Sequence, residues 1–402
     1  MPRVPHKSHP IGFPIYSMAF ISPQRIVLGG GGGSSSKTGV KNKLVTYDIT
    51  SEDISTHSTY ELQSGEDCPM SISVPFTNKK YLLAGINSSQ KPNNNCRLFQ
   101  ITQDKLEQIV AKQTIEGDNI EDYQRIAEIS PSSQVVVVDG KTSEKKTSLH
   151  AFSYPEMETL FDKAIIVDGD ILSVSFSNDG ALLAVTTSKS VLIYSFVYDE
   201  KKNKVTTKVL QTISDPLVQK TSGASFRFAK FGKGIHVGRL YTVTNSGPPQ
   251  KKKGARPGFL TVWDTNTWKV IRTVTLADKP VTACDLSEDG QLIAFASADL
   301  SVGIVSAKTL APLVRILSAH SFPVTCLSFD PTATVLASGS PDNSLRLVQV
   351  PQDLAASGKC TIDMNKTFLK TLIDSARAFV QALVIAILIG LLAVLLQLYQ
   401  TK

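Results

Sequence analysis

Along the first 350 positions, apolar residues alternate with polar ones in short runs, and turn residues punctuate the runs. Leu172, Val174 and Phe176 alternate with serines; the turn Ser177-Asn178-Asp179-Gly180 follows, then the apolar run ALLAVTT, a break at Ser188-Lys189-Ser190, and VLIYSF. The same order recurs as VTACDL, Ser287-Glu288-Asp289-Gly290, QLIAFAS and SVGIVS. It recurs again as VTCLSF, Asp330-Pro331, TVLASGS, Pro341-Asp342-Asn343 and SLRLVQV. A period of two bounded by turn residues predicts strands. Val281 and Val324 stand 43 positions apart, the length of one four-stranded propeller blade.

Weaker copies cover 15–50, 70–101, 122–155 and 222–267, the last holding Val262-Trp263-Asp264. With 168–198, 279–308 and 321–350 they make seven units. The pattern predicts an all-β fold, a seven-bladed WD-type β-propeller over residues 1–355. The final repeat ends at LRLVQV, so residues before Pro14 are expected to add its outer strand. Ala319-His320 precedes the last repeat, and Asp299 and Asp342 fall in turns where such a histidine finds its bond. Their expected role is structural.

The pattern changes near the C-terminus. Phe379 to Leu398 is a run of 20 residues without a charge, long enough for a helix across a bilayer core. The expected order is a basic linker at 356–377, a transmembrane helix at 378–398 and a short lumenal tail at 399–402. Lys359, Lys366, Lys370 and Arg377 precede the span and only Lys402 follows it, which puts the propeller in the cytosol. The proline-rich N-terminus does not read as a signal peptide. The five cysteines are far apart, as reduced thiols are.

A net charge of +7 over 402 residues is mild. Lys251-Lys252-Lys253 with Arg256 reads as a solvated loop or as a nucleic-acid patch; no aromatic residues interleave with it. The six histidines have no ligand spacing, and no nucleophile elbow or phosphate loop is present. The chain therefore reads as a binding platform and not as an enzyme. One loop departs from the blade grammar. Residues 29–43, GGGGGSSSKTGVKNK, interrupt the first repeat. Composition alone fits a Gly/Ser hairpin tip. It also fits a loop that turns carbonyls toward a cation, with Gly39 to Lys43 presenting an apolar tip, a cation and an amide to a partner.

A propeller with this first-blade loop and a C-terminal anchor resembles the ER membrane exchange factors for the Sar-type GTPase, the prolactin-element-binding protein family, which start COPII coat assembly. The likeness is carried by Gly29 to Leu44, by Asp67-Cys68-Pro69-Met70-Ser71, by Glu121-Asp122-Tyr123, by Ala319-His320-Ser321-Phe322 and by the span. It implies guanine-nucleotide exchange without covalent chemistry, promoting ER-to-Golgi transport. Asn42 and Val40 would carry exchange; Gly39, Lys41, Asp67 and Pro69 would meet the GTPase. Gly31 and Gly32 would offer backbone carbonyls to a potassium ion. The implied location is the ER membrane, with no nucleic-acid partner. Ser34 to Thr38, and Lys41 where a proline can occur, depart from the family. The competing readings are a tail-anchored scaffold without exchange activity and a DNA-binding regulator, which the span disfavours.

Overall fold

The computed structural model describes residues 4–33, 39–50, 53–77, 79–115, 123–141, 146–214, 223–248, 255–350 and 361–364. The chain opens with β1 (His6–Pro10). Blade 1 follows with β2 (Ile15–Ser22), β3 (Arg25–Gly30), β4 (Lys43–Ile49) and β5 (Ile54–Glu61). Blade 2 holds β6 (Glu66–Ser73), β7 (Tyr81–Ser88), β8 (Cys96–Ile101) and β9 (Leu106–Lys112). Blade 3 holds β10 (Ala127–Ile129), β11 (Val135–Lys141), β12 (Lys146–Ser153) and β13 (Ile165–Asp168). Blade 4 is β14 (Ile171–Phe176), β15 (Leu182–Thr187), β16 (Val191–Asp199) and β17 (Lys204–Ile213). Blade 5 is β18 (Ser225–Phe231), β19 (Arg239–Asn245), β20 (Gly258–Asp264) and β21 (Val270–Ala277). Blade 6 is β22 (Val281–Leu286), β23 (Leu292–Ser297), β24 (Val302–Ser306) and β25 (Pro312–Leu317). Blade 7 is β26 (Cys326–Phe329), β27 (Val335–Ser340) and β28 (Ser344–Gln349), and β29 (Thr361–Met364) ends the described chain.

Each blade is a sheet in sequence order, and the innermost strands β2, β6, β10, β14, β18, β22 and β26 touch in a closed cycle. The ring closes through the N-terminus, as expected. β1 pairs antiparallel with β28, His6 opposite Val348 and Pro10 opposite Ser344. The prolines are tolerated because β1 is the outer edge of its blade, where an amide need not donate.

The core is divided among the blade interfaces. Blades 7 and 1 clasp Phe13, Ile15 and Leu28 against Ala337 and Leu345; blades 1 and 2 clasp Val27 and Leu44 against Leu82 and Phe99. Equivalent clusters fill every other interface round the ring. No blade buries both faces alone, so the repeat must close to hide its apolar surface.

The blade limits read from the sequence stop short. β9, β17, β21 and β25 lie wholly or largely beyond the limits 70–101, 168–198, 222–267 and 279–308. These outer strands face solvent: β17 and β21 are mostly exposed and carry little apolar alternation. The inner turns are legible because they are chemical. Asp179 Oδ1 accepts from Ser177 Oγ at 2.6 Å and Ser177 Oγ accepts the Leu182 N–H at 2.8 Å. Asp289, Ser287 and Leu292 repeat the arrangement at 2.6 and 2.9 Å.

Asp299 corrects one expectation. His320 donates or accepts at Asp342 (3.2 Å), Ser344 Oγ (2.9 Å) and Ser338 Oγ (2.8 Å), all within blade 7. Asp299 instead bonds Ser297, Ser301 and Arg315 in blade 6, because its turn joins β23 to β24 one blade away.

Thr361–Met364, inside the segment 356–377 read as linker, forms a strand that runs parallel to β25. Outer strands run toward the face that carries the β3–β4 loop. The described chain therefore ends at Met364 on that same face, called here the loop face. Among the described residues no helix is long and apolar enough to cross a membrane; the expected span 378–398 and the tail lie outside the described residues.

Candidate functional site: the first-blade loop

The loop between β3 and β4 departs where β3 runs out of room for side chains. A Cβ on Gly30 would stand 1.9 Å from the Pro14 carbonyl oxygen. Gly31 has φ +144°, and a Cβ there would lie 2.3 Å from Asn42 Oδ1 and 2.5 Å from Asn42 Cα. Only glycine fits where the two arms of the loop base cross this closely. Two backbone bonds fix the departure: Gly31 N–H to the Pro14 carbonyl at 3.0 Å and Gly32 N–H to the Val40 carbonyl at 3.2 Å. Residues 34–38 lie outside the described residues.

Asn42 ties the base together. Its Oδ1 accepts the Gly33 N–H at 2.9 Å and the Cys68 thiol at 3.1 Å; its Nδ2 donates to the Glu66 carbonyl at 2.7 Å. Its own carbonyl accepts the Leu62 N–H at 2.9 Å. Burial pushes the Cys68 thiol up to about 12, so it stays protonated and able to donate. Asn42 thus joins the loop and the start of blade 2 through its side-chain amide, and the β5–β6 connection through its main-chain carbonyl.

The side chains are placed differently from a projecting tip. Asn42 is only 9% exposed and turned inward. Val40 is half-buried and packs on the apolar cluster between blades 7 and 1. Gly39 has φ +73° and open space around it. Lys41 reaches into solvent and meets Glu61 Oε2 at 2.5 Å, so it is the exposed cation of the group.

The structure brings Asp67 and Pro69 to the same place. Asp67 Oδ1 accepts the Cys68 N–H at 2.7 Å and would lie 3.6 Å from a Cβ on Gly33. The Pro69 carbonyl accepts from Ser17 Oγ at 2.6 Å. Glu66 was not singled out in the sequence. Its carboxylate accepts the Gln63 N–H at 2.6 Å and pairs with Arg97 at 2.5 Å, while its carbonyl holds Asn42. A backbone carbonyl leaves no trace in a sequence, and only the adjacency to Asp67 hinted at it. Gly33, Val40, Asn42, Leu62 and Gly65 line a cleft beside the loop.

The WD domain, G-beta repeat family matches residues 311–348, which run from β25 through blade 7. The guanine nucleotide-exchange factor SEC12 of Candida glabrata is 22% identical over 392 residues, 93% of this chain and 78% of that protein. The chain is similar to SEC12 over most of its length. A putative guanine nucleotide-exchange factor of the same yeast, SED4, is 22% identical over 85% of this chain, and the chain spans only 32% of SED4. Raptor of Chaetomium thermophilum superposes with a TM-score of 0.63 at 12% identity, over 87% of this chain and 29% of that one, a likeness of fold alone. The SEC12 likeness spans both the first-blade loop and the propeller that holds it.

Proposed function

We propose that this chain is a guanine-nucleotide exchange factor that promotes GDP release from a Sar-type small GTPase, so starting COPII vesicle formation. In this reading the apolar segment 378–398 spans the ER membrane and the propeller faces the cytosol. The observation that carries the proposal is the Asn42 knot: a glycine-rich loop held at its base by one buried amide, on a chain similar to SEC12 exchange factors. An exchange factor needs no proton donor or nucleophile. It speeds release only by binding the nucleotide-free GTPase better than the loaded one. The base of the loop, residues 31–33 and 39–42, is held without the partner, so less ordering entropy is lost there on binding.

Asn42 acts here by setting the loop, and Lys41, Gly39 and Val40 supply the surface offered to the GTPase. Asp67 and Pro69 border it from blade 2. A potassium ion suits the site in donor type. The Gly31 and Gly32 carbonyls are hard oxygens, the class an alkali cation takes, and the Asp67 carboxylate stands beside Gly33. Bound there, the ion would stiffen the glycine run.

The test is GDP release from the Sar-type GTPase, with the full chain in neutral detergent or in vesicles. Wild type and Asn42→Ala are compared in potassium and in sodium. Acceleration that falls at least about tenfold in the variant supports exchange through the loop. A folded wild-type protein that leaves GDP release unchanged overturns the proposal. Equal rates in the two salts overturn the potassium assignment alone.

A further inference from the structure

β6 starts on the loop face, and it is irregular where it borders the first-blade loop. Its pairing with β7 shifts register between Glu66 and Pro69 and again between Pro69 and Ser71. The ladder therefore leaves residues 66–69 weakly fixed, yet the loop takes three of its neighbours from them. Glu66 offers its carbonyl to Asn42 Nδ2 at 2.7 Å, Cys68 donates its thiol to Asn42 Oδ1 at 3.1 Å, and the Asp67 carboxylate stands beside Gly33.

Side chains supply what the ladder lacks. Glu66 Oε1 meets Arg97 Nη1 at 2.5 Å, and the two side chains are only 12% and 6% exposed. Glu66 Oε2 accepts the Gln63 N–H at 2.6 Å, so both carboxylate oxygens are engaged. Arg97 is anchored in turn. It lies on β8 opposite Ala84 and Ala111, small residues that leave room for a guanidinium, and its Nε donates to the Asn94 carbonyl at 3.1 Å. The next residue, Asn95, is fully buried and donates Nδ2 to Thr114 Oγ1 at 2.7 Å and Gln124 Oε1 at 3.0 Å. A continuous set of bonds thus runs from the β7–β8 loop through Arg97 and Glu66 to Asn42, and from Asn42 Oδ1 to the Gly33 N–H at 2.9 Å.

A buried ion pair adds little net stability, and well-packed neutral groups often hold a fold as well. What the pair does supply is placement. We propose that Arg97 is a positioning residue for nucleotide exchange: through Glu66 it fixes the bulged start of β6, and through that start it sets Asn42 and the neck of the first-blade loop. This role deepens the exchange proposal and rests on it; the physical link from Arg97 to Gly33 does not.

The test uses the full chain in neutral detergent, as wild type, Arg97→Met, Glu66→Gln and the double variant. Two quantities are read: hydrogen exchange at the Gly33 amide, and the maximal rate of GDP release at saturating exchange factor. Each single variant should speed amide exchange at Gly33 at least about tenfold and lower the maximal rate at least about tenfold. The double variant should match the singles within about twofold, because the pair acts as a unit. It replaces both charges with neutral groups, so it is expected to fold even where a single variant leaves one charge buried alone.

Arg315→Met is the control. It breaks a comparable contact, with Asp299 at 3.0 Å, in blade 6. Its thermal midpoint should fall while Gly33 amide exchange and maximal GDP release keep their wild-type values. If the folded Arg97 and Glu66 variants behave like this control, Arg97 is merely structural and the proposal is overturned. A change in one of the two readouts without the other overturns it as well. If wild type gives no acceleration of GDP release, the exchange proposal falls, and the Gly33 amide alone judges the link from Arg97 to the loop.

Discussion

The side-chain oxygen of Asn42 accepts the backbone N–H of Gly33 at 2.9 Å, across nine positions of sequence and the whole neck of the first-blade loop. The same amide reaches Glu66 and Cys68 in blade 2, so loop and blade cannot move apart without breaking it. A residue placed this way shapes a contact surface without being its outermost atom.

Gly31→Ala tests that geometry. The new methyl would meet Asn42 at its Cα and at Oδ1, from a backbone angle that disfavours any side chain. We expect a cost of about 1–3 kcal/mol and loss of exchange activity. Gly39→Ala has open space and a positive φ alone, and should cost roughly 1 kcal/mol. Denaturant midpoints and GDP-release rates for the two variants check the contrast; equal effects would contradict the crossing of the loop arms.

Asp342 makes a sign-definite acid prediction. Burial pushes its carboxyl up, but hydrogen bonds from His320, Ser344 Oγ and the Ser321 N–H outweigh burial and hold it well below the usual carboxylate range. Its contribution is therefore present above the unfolded value of 3.8 and is lost as pH falls through the lower folded value. Asp342→Ala should cost about 1–3 kcal/mol at neutral pH, since it leaves buried His320, the Ser321 N–H and Ser344 Oγ without this acceptor. The gap between variant and wild type should narrow below about pH 4 in urea unfolding.

Asp139 runs the other way. Burial pushes its carboxyl up to about 6, against hydrogen bonds from the Arg125 and Ile126 amides, and its Oδ2 has no partner. The folded state keeps a proton that the unfolded state has already released. This group therefore lowers stability as pH rises from 3.8 through about 6, and the penalty stays in place above that. Asp139→Asn should be worth more to the fold at pH 7.5 than at pH 4. Urea midpoints of both proteins at the two pH values measure it, and a constant difference would contradict the assignment.

β29 completes blade 6 from outside the repeat. Consecutive strand residues turn their amides to opposite sides, so replacing both Ile362 and Asp363 with proline removes one amide that faces β25 in the parallel pair. Hydrogen exchange of Val314 to Leu317 should quicken while β23 keeps its protection. Unchanged exchange on β25 would mean that the strand does not hold this edge in solution.

Much of this architecture was legible because its signals are local. The Ser-x-Asp-Gly turns write their hydrogen bonds into adjacent letters, and inner strands such as Leu182–Thr187 are apolar because a neighbouring blade covers them. The outer strand Lys204–Ile213 was missed because solvent on its outer face removes the alternation that marks a strand. At the site, the glycine run and its neighbours Val40 to Asn42 stood out in sequence, and Asp67 and Pro69 joined them through family likeness. The inward turn of Asn42 did not show, because its partners are two backbone groups and a thiol that only folding brings near.

By itself the sequence determined a ring of seven strand repeats, the N-terminal closure of that ring and the loop that interrupts its first blade. Each follows from spacing that adjacent residues enforce. Tertiary structure alone decided that Asn42 is a buried knot and that His320 answers to Asp342 and not Asp299. These depend on contacts between residues nine to 26 positions apart, where chain order does not fix which groups meet.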